Sequence, residues 1–130
     1  MSEPVVVFRT WSDIEASIVR GLLEAHGARV IICPVDVAAD DPRSYYKVAE
    51  RIRDERGAYL PNQYHNPANP EAHYASTGPE IWHETGGRID AFVCATGTGG
   101  TLGGVSRYLK EQKPGVRIVL ADPGGSALFN

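Results

Sequence analysis

A segment rich in glycine and threonine is the part of the sequence best suited to bind an anion. It has the sequence Gly97-Thr98-Gly99-Gly100-Thr101. An apolar run leads into it from Asp90 and a helical pattern follows directly, so that several backbone N–H groups meet the positive end of a helix dipole. Glycine keeps side chains away from a bound anion, and two threonine hydroxyls add donors. The segment therefore predicts a phosphate-binding loop.

Two nucleotide-binding patterns do not fit this segment. A Walker loop requires Lys-Ser or Lys-Thr after the glycines, and neither follows here. The dinucleotide pattern requires a third glycine where Leu102 stands. A tight turn between a strand and a helix, with no ligand, is the alternative that the spacing alone leaves open.

The elements that would position this loop alternate between strand and helix. A capping-box spacing of Ser12 and Glu15 begins the first helix, and Gly27 is suited to end it. The expected strands are Val5 to Phe8, Arg29 to Pro34, Ile89 to Ala95 and Val116 to Ala121, and the expected helices run from Ser12 to Gly27, from Asp41-Pro42 to Gly57, around Glu80 to Glu84, and from the loop to about Gln112. Such alternation predicts an α/β fold with a mainly parallel sheet flanked by helices.

The segment from Leu60 to Pro79 differs in composition, with four prolines and three asparagines. Proline removes a backbone donor and disfavours helix interiors, so no long regular element is expected here. The composition changes near Pro67, where we place the boundary between two lobes.

Length and charge exclude several classes of protein. The chain has 130 residues, 42% of them hydrophobic, and a net charge of −3. That charge provides no basic surface for nucleic acid or anionic lipid, and no apolar run is long enough to cross a bilayer. Cys33 and Cys94 lie in apolar stretches, as buried thiols of a reducing compartment do. We therefore expect a cytoplasmic protein with no nucleic-acid and no membrane partner.

No metal site is expected. His65 and His73 lack a nearby cysteine and a zinc-ligand spacing. The acidic residues Asp36, Asp40 and Asp41 form only part of a calcium-binding pattern. The simpler interpretation is a capped loop.

Five motifs occur in a defined order: Asn62-Gln-Tyr-His-Asn-Pro-Ala-Asn-Pro-Glu-Ala-His-Tyr, Thr77-Gly-Pro-Glu-Ile-Trp, Gly97-Thr-Gly-Gly-Thr, Tyr108-Leu-Lys-Glu and Asp122-Pro-Gly-Gly-Ser. Over residues 28–126 the chain resembles the interior of the pyridoxal-phosphate-dependent cysteine synthase and cystathionine β-synthase family. The resemblance implies an incomplete fold type II core with pyridoxal 5′-phosphate as cofactor and its phosphate in the loop at 97–101. It also implies that Gln63 binds the carboxylate of an amino-acid substrate, that residues 28–66 belong to a small mobile lobe, and that residues 67–130 belong to the cofactor lobe.

The chain departs from the family at the residues that react. The family's Schiff-base lysine and its Ser/Thr-Gly-Asn loop have no counterpart, and none of Lys47, Lys110 and Lys113 matches the catalytic position. We therefore expect no catalytic residue in this chain. The resemblance implies a truncated or chimeric relative of an enzyme that makes cysteine or cystathionine from serine or O-acetylserine by β-replacement. The alternative is a non-catalytic binding or regulatory module.

The first 27 residues are similar to the opening strand and helix of a small bacterial domain described as signal-transducing. We expect this βα unit to have a different origin and, in a regulatory module, to direct partner choice. Open sheet edges favour pairing between chains. A homodimer or a complex with a complementary synthase half is therefore expected.

Overall fold

The computed structural model describes residues 3–9 and 12–122. These residues form two compact units, with the division between Leu60 and Pro61. The composition change at Pro67 lies just inside the second unit. The proposed lobe ranges and the separate origin of residues 1–27 stay predictions.

The first unit contains two parallel strands and two helices. The elements are β1 (Val5–Phe8), α1 (Asp13–Ala25), β2 (Arg29–Ile32) and α2 (Tyr45–Arg56). Val5 pairs with Arg29 and Phe8 with Ile32. Gly27 adopts φ +80° after α1, the left-handed conformation expected of a glycine that ends a helix. The expected βαβ opening is thus confirmed.

Helix α2 begins later than its sequence indicated. The expected start at Asp41-Pro42 is wrong, because the Asp41 carboxylate is held by Arg43 at 2.8 Å and caps no helix. Ser44 caps α2 instead, since its Oγ accepts a hydrogen bond from the Lys47 N–H at 3.3 Å. The same hydroxyl donates to the Ala39 carbonyl at 2.8 Å. Ser44 is buried, so both bonds are needed to satisfy its hydroxyl.

The second unit carries the predicted loop. Its elements are α3 (Ala68–Ala75), α4 (Thr77–Glu84), β3 (Ala91–Cys94), α5 (Gly100–Gln112) and β4 (Arg117–Leu120). Helices α3 and α4 are more regular structure than expected for the proline-rich segment. Pro67 lies at the N-cap of α3, and Pro70 and Pro79 lie in first turns, where the missing N–H has no partner within the helix.

The strands pair in parallel, as predicted, but the described residues form two separate two-stranded sheets. Phe92 of β3 and Ile118 of β4 pack on the core, whereas Val93 and Val119 are 60% and 43% exposed. This alternation is the period of two that a strand covered on one face shows. The strand at Arg29–Ile32 is exposed at Arg29 and only partly buried in the rest of its length. Of the described helices, none has the length and apolar character to cross a membrane.

The core of the second unit lies beneath α5. Val105, Leu109 and Val116 have no exposed surface, and Ile81, Trp82, Ile89, Phe92, Tyr108 and Ile118 pack around them. Helix α3 approaches α5 closely at Gly104. A Cβ at that position would overlap the Pro70 carbonyl oxygen, the His73 Cβ and the Tyr74 nitrogen. Only glycine fits between the two helices there.

This contact predicts opposite effects for two adjacent glycines. Gly104→Ala should lower the free energy of unfolding by about 1–3 kcal/mol, as overpacking against backbone does. Gly103→Ala is the matched control, because its Cβ would meet only the Pro70 Cβ at 3.8 Å. That substitution should be neutral or stabilising by up to about 1 kcal/mol, since alanine favours helix. Urea denaturation measures both values, and equal effects would contradict the close contact.

Candidate functional site

The loop between β3 and α5 presents unpaired backbone donors. Gly99 adopts φ +82° and caps α5 without a side-chain hydrogen bond. Across the described residues, the N–H groups of residues 97–102 donate to no protein acceptor. These groups surround a hollow of about 60 Å³ lined by residues 95–102. The predicted loop thus has the geometry of an anion site: donors that converge at the positive end of a helix.

Asn69 of α3 fastens the loop from one side. Its Nδ2 donates to the Thr98 Oγ1 at 2.8 Å and to the Gln63 carbonyl oxygen at 3.0 Å. A Cβ at Gly100 would overlap the Asn69 side chain, so the glycine makes room for this amide. One side chain therefore joins the loop to the segment that carries Gln63. The sequence alone indicated no role for Asn69.

The Asn66 side chain also stabilises the segment that carries Gln63. Its Nδ2 donates to the Pro61 carbonyl oxygen at 2.9 Å, and its Oδ1 accepts from the Ala68 N–H at 3.0 Å. The N–H groups of His65 and Asn66 both donate to the Asn62 carbonyl oxygen at 2.9 Å. The segment before α3 is thereby a defined turn.

Gln63 and the loop line the same cleft. This cleft has a volume of about 270 Å³, and Gln63 lies in its lining with Thr98, Gly99 and Gly100. The structure therefore brings together the two groups of residues that the resemblance assigned to cofactor and substrate. Gln63 is exposed, so its carboxamide is accessible from solvent.

His73 contacts the far end of the loop. Its Nε2 lies 3.1 Å from the Thr101 Oγ1, and its Nδ1 lies 3.0 Å from the Thr77 Oγ1. His73 follows Asn69 by four residues on α3, so both side chains project from one face of the helix. The spacing of four residues is the feature of the sequence that could have indicated that Asn69 and His73 contact the same loop. The described part of the chain contains no cluster of His, Cys, Asp or Glu suited to a metal ion.

Lys110 and Lys113, in the second unit, lie away from the loop. Lys110 is nine residues beyond Thr101, on the order of 13 Å along α5, and its Nζ donates to the Pro114 carbonyl oxygen at 3.1 Å. Lys113 donates at 2.9 Å to Asp90, and this hydrogen bond lowers the pKa of the Asp90 carboxyl. Lys47, in the first unit, pairs with Glu50 at 2.8 Å.

The bond between Asn69 and Thr98 predicts a measurable coupling. In a double-mutant cycle of Asn69→Ala and Thr98→Val, the two losses in free energy of unfolding should overlap by about 0.5–1.5 kcal/mol, the net value of one hydrogen bond. Asn66→Ala is the control, because the Asn66 side chain bonds to Pro61 and Ala68 and not to Thr98. Its effect should add to that of Thr98→Val. Additivity in both cycles would contradict the bond.

Comparisons with known proteins show the family of this chain. The family model described as "Pyridoxal-phosphate dependent enzyme" matches residues 4–130. The chain is 44% identical over 124 residues to cysteine synthase 2 of Schizosaccharomyces pombe, covering 89% of this chain and 30% of the relative. It is 50% identical over 111 residues to cysteine synthase 1 of Neurospora crassa, covering 84% of this chain and 29% of the relative.

Solved structures give the same result. O-ureido-L-serine synthase matches with a TM-score of 0.81 and 31% identity, covering 95% of this chain and 38% of that protein. A hydrogen sulfide-producing enzyme from Fusobacterium nucleatum matches with a TM-score of 0.80 and 30% identity, covering 96% of this chain and 40% of that protein.

The chain spans about a third of the length of the curated relatives it matches. The matched range starts at residue 4, so the similarity extends further toward the N-terminus than the motifs from residue 28 onward indicated. The chain belongs to the family of pyridoxal-phosphate-dependent enzymes of fold type II that includes the cysteine synthases.

Proposed function

We propose that residues 97–101 hold the phosphate group of pyridoxal phosphate and that Gln63 binds the carboxylate of an amino-acid substrate. The observation that supports this most directly is the row of unpaired N–H groups at the start of α5. The chain would then supply these binding contacts to a β-replacement on serine or O-acetylserine, as a truncated or chimeric relative of the enzymes that perform it. The relatives reported above are named cysteine synthases, which favours cysteine over cystathionine as the product.

The residues of the loop fit a phosphate group. Gly97, Gly99 and Gly100 have no side chain to block its approach to the backbone, and a Cβ at Gly97 would itself meet no protein atom. The hydroxyls of Thr98 and Thr101 are held at the two ends of the loop by Asn69 and His73. All these groups are neutral, so the attraction for a dianion comes from oriented dipoles and the helix terminus.

Pyridoxal phosphate, when bound, supplies an electron sink for a carbanion on the substrate. This chain's own residues bind and orient. The loop fixes one end of the cofactor by its phosphate, and the Gln63 carboxamide offers an N–H donor to a substrate carboxylate in the same cleft. Because Asn69 contacts both segments, the two binding groups are held at a fixed separation.

A second candidate function is a binding module without catalysis. It is favoured by the position of Lys110 and Lys113, whose amines are engaged at the end of α5 remote from the loop. A Schiff-base lysine requires an amine beside the cofactor in a dry pocket. We therefore assign binding roles, and no catalytic residue, to this chain.

Phosphate binding tests the loop assignment. Inorganic phosphate and pyridoxal phosphate should compete for one site in calorimetric titrations. Gly99→Val should weaken phosphate binding about tenfold or more, because the side chain separates the anion from at least two amide donors. Gly86→Val is the matched control, since Gly86 also has a positive φ, +58°, and its Cβ would meet no neighbour.

Equal phosphate affinity in the wild type and Gly99→Val would contradict the assignment of residues 97–101 to phosphate binding. Borohydride treatment of the chain with pyridoxal phosphate separates the two functions. A stoichiometric adduct that Lys110→Ala abolishes would contradict the binding module. We expect no such adduct.

We also propose that the chain forms a homodimer. Ile14, Ile18 and Leu22 of α1 are 75%, 66% and 61% exposed, and their spacing of four places them on one helix face. Exposed apolar patches of this kind favour association.

Sedimentation at micromolar concentration should show a dimer, and Ile18→Gln should shift it toward monomer. Ser17→Gln, one residue away and also exposed, is the control that should leave the dimer intact. A wild-type chain that sediments as a monomer would overturn the proposal.

A further inference from the structure

His73 lies behind the loop and contacts only hydroxyl groups with its ring nitrogens. Its Nε2 meets the Thr101 Oγ1 at 3.1 Å and its Nδ1 meets the Thr77 Oγ1 at 3.0 Å. The ring is half-buried, and the close contact of α3 with α5 at Gly104 fixes the position of its Cβ. In the binding roles proposed above, this side chain only holds the Thr101 hydroxyl in place.

The hydrogen bond between His73 and Thr101 determines where the Thr101 hydroxyl proton points. The Thr101 hydroxyl carries one proton, and a neutral imidazole has one donor and one acceptor nitrogen. If Thr101 gives its proton to Nε2, it turns only lone pairs toward the loop, and these repel an anion. If Nε2–H donates to Thr101, the hydroxyl proton is free to point into the loop. The tautomer of His73 therefore decides whether Thr101 attracts or repels a phosphate group.

The other threonine of the loop offers a parallel in which the hydrogen-bond donor is identified. The Asn69 Nδ2 lies 3.0 Å from the Gln63 carbonyl oxygen, which can only accept, so this atom is a donor. It therefore donates to the Thr98 Oγ1 as well, and the Thr98 proton is free. Asn69 and His73 occupy successive turns of α3 and each contacts one loop threonine.

We propose that His73 is a positioning residue that donates from Nε2 to Thr101 and so directs the Thr101 hydroxyl proton into the phosphate loop. The inference rests on the proposed phosphate-binding function of that loop. Thr77 completes the chain of hydrogen bonds by donating its own hydroxyl proton to Nδ1. Asn69 and His73 on α3 thereby each donate a hydrogen bond to one loop threonine, and both threonine hydroxyl protons can point into the loop.

Charged groups on the same helices do not compete for the ring. Glu71 pairs with Arg107 at 2.7 Å, and Glu111 accepts a hydrogen bond from the Tyr74 hydroxyl at 2.6 Å. These exposed carboxylates are engaged with other partners, whereas both contacts of His73 are part-buried threonine hydroxyls. Thr77 and Thr101 are thus the hydrogen-bond partners of the His73 ring.

Two substitutions separate the nitrogen atoms. A glutamine amide nitrogen can reach the place of Nε2, whereas an asparagine amide reaches only as far as Nδ1. His73→Asn should weaken binding of inorganic phosphate by about fivefold, the value of one hydrogen bond. His73→Gln should bind phosphate more tightly than His73→Asn by most of that factor. Thr101→Val should weaken phosphate binding by a similar factor. Adding His73→Asn to Thr101→Val should weaken phosphate binding no further.

Nitrogen NMR of the imidazole gives a readout that a purely structural role would not move. The ring of His73, identified by the signals missing from His73→Gln, should carry its proton on Nε2. A proton on Nδ1, or equal phosphate affinity in His73→Asn and the wild type, would overturn this inference and leave the loop assignment in place. Failure of the wild type to bind phosphate would instead overturn the proposed function, and the inference with it.

Discussion

The close approach of α3 to α5 is the contact on which the arrangement of the site depends. Gly100 and Gly104 lie four residues apart on α5, so they share one face of the helix. A Cβ at Gly100 would overlap the Asn69 side chain, and one at Gly104 would overlap the Pro70 carbonyl oxygen. Because glycine leaves this face flat, α3 can place its polar side chains directly against the loop.

The loop contains neutral polar groups, and the charged side chains of α3 and α5 lie outside it. Charged side chains of α3 and α5 pair with one another on the outside: Arg107 binds Glu71 and also lies 4.1 Å from the centre of the Tyr74 ring. The hydrogen bond to Glu111 raises the pKa of the Tyr74 hydroxyl. The loop itself contains only amides and hydroxyls. An anion there is held by dipoles whose directions the fold fixes in advance, which costs little reorganisation when it binds.

Membership of a family of pyridoxal-phosphate-dependent enzymes supports the phosphate group that we propose as the ligand of these dipoles. The chain spans about a third of its curated relatives, and this third contains the loop, the Gln63 turn and the helix that joins them. Binding of the cofactor and covalent chemistry are separate tasks in such enzymes. The residues that we propose to hold the phosphate belong to the first task, and the amines of Lys110 and Lys113 are engaged at the other end of α5.

The sequence by itself determined the strand, loop and helix around residues 91–112, because β-branched residues, glycines and the helical pattern act over short distances. It also determined the family, because the motifs are short continuous stretches of the sequence. It failed at the start of α2, which was expected at Asp41-Pro42, because the Asp41 carboxylate binds Arg43 and Ser44 caps the helix instead. The roles of Asn69 and His73 were decided only by tertiary structure. Their partners lie 29 and 28 residues away, and such long-range hydrogen bonds exist only once the glycine face of α5 has let α3 come close.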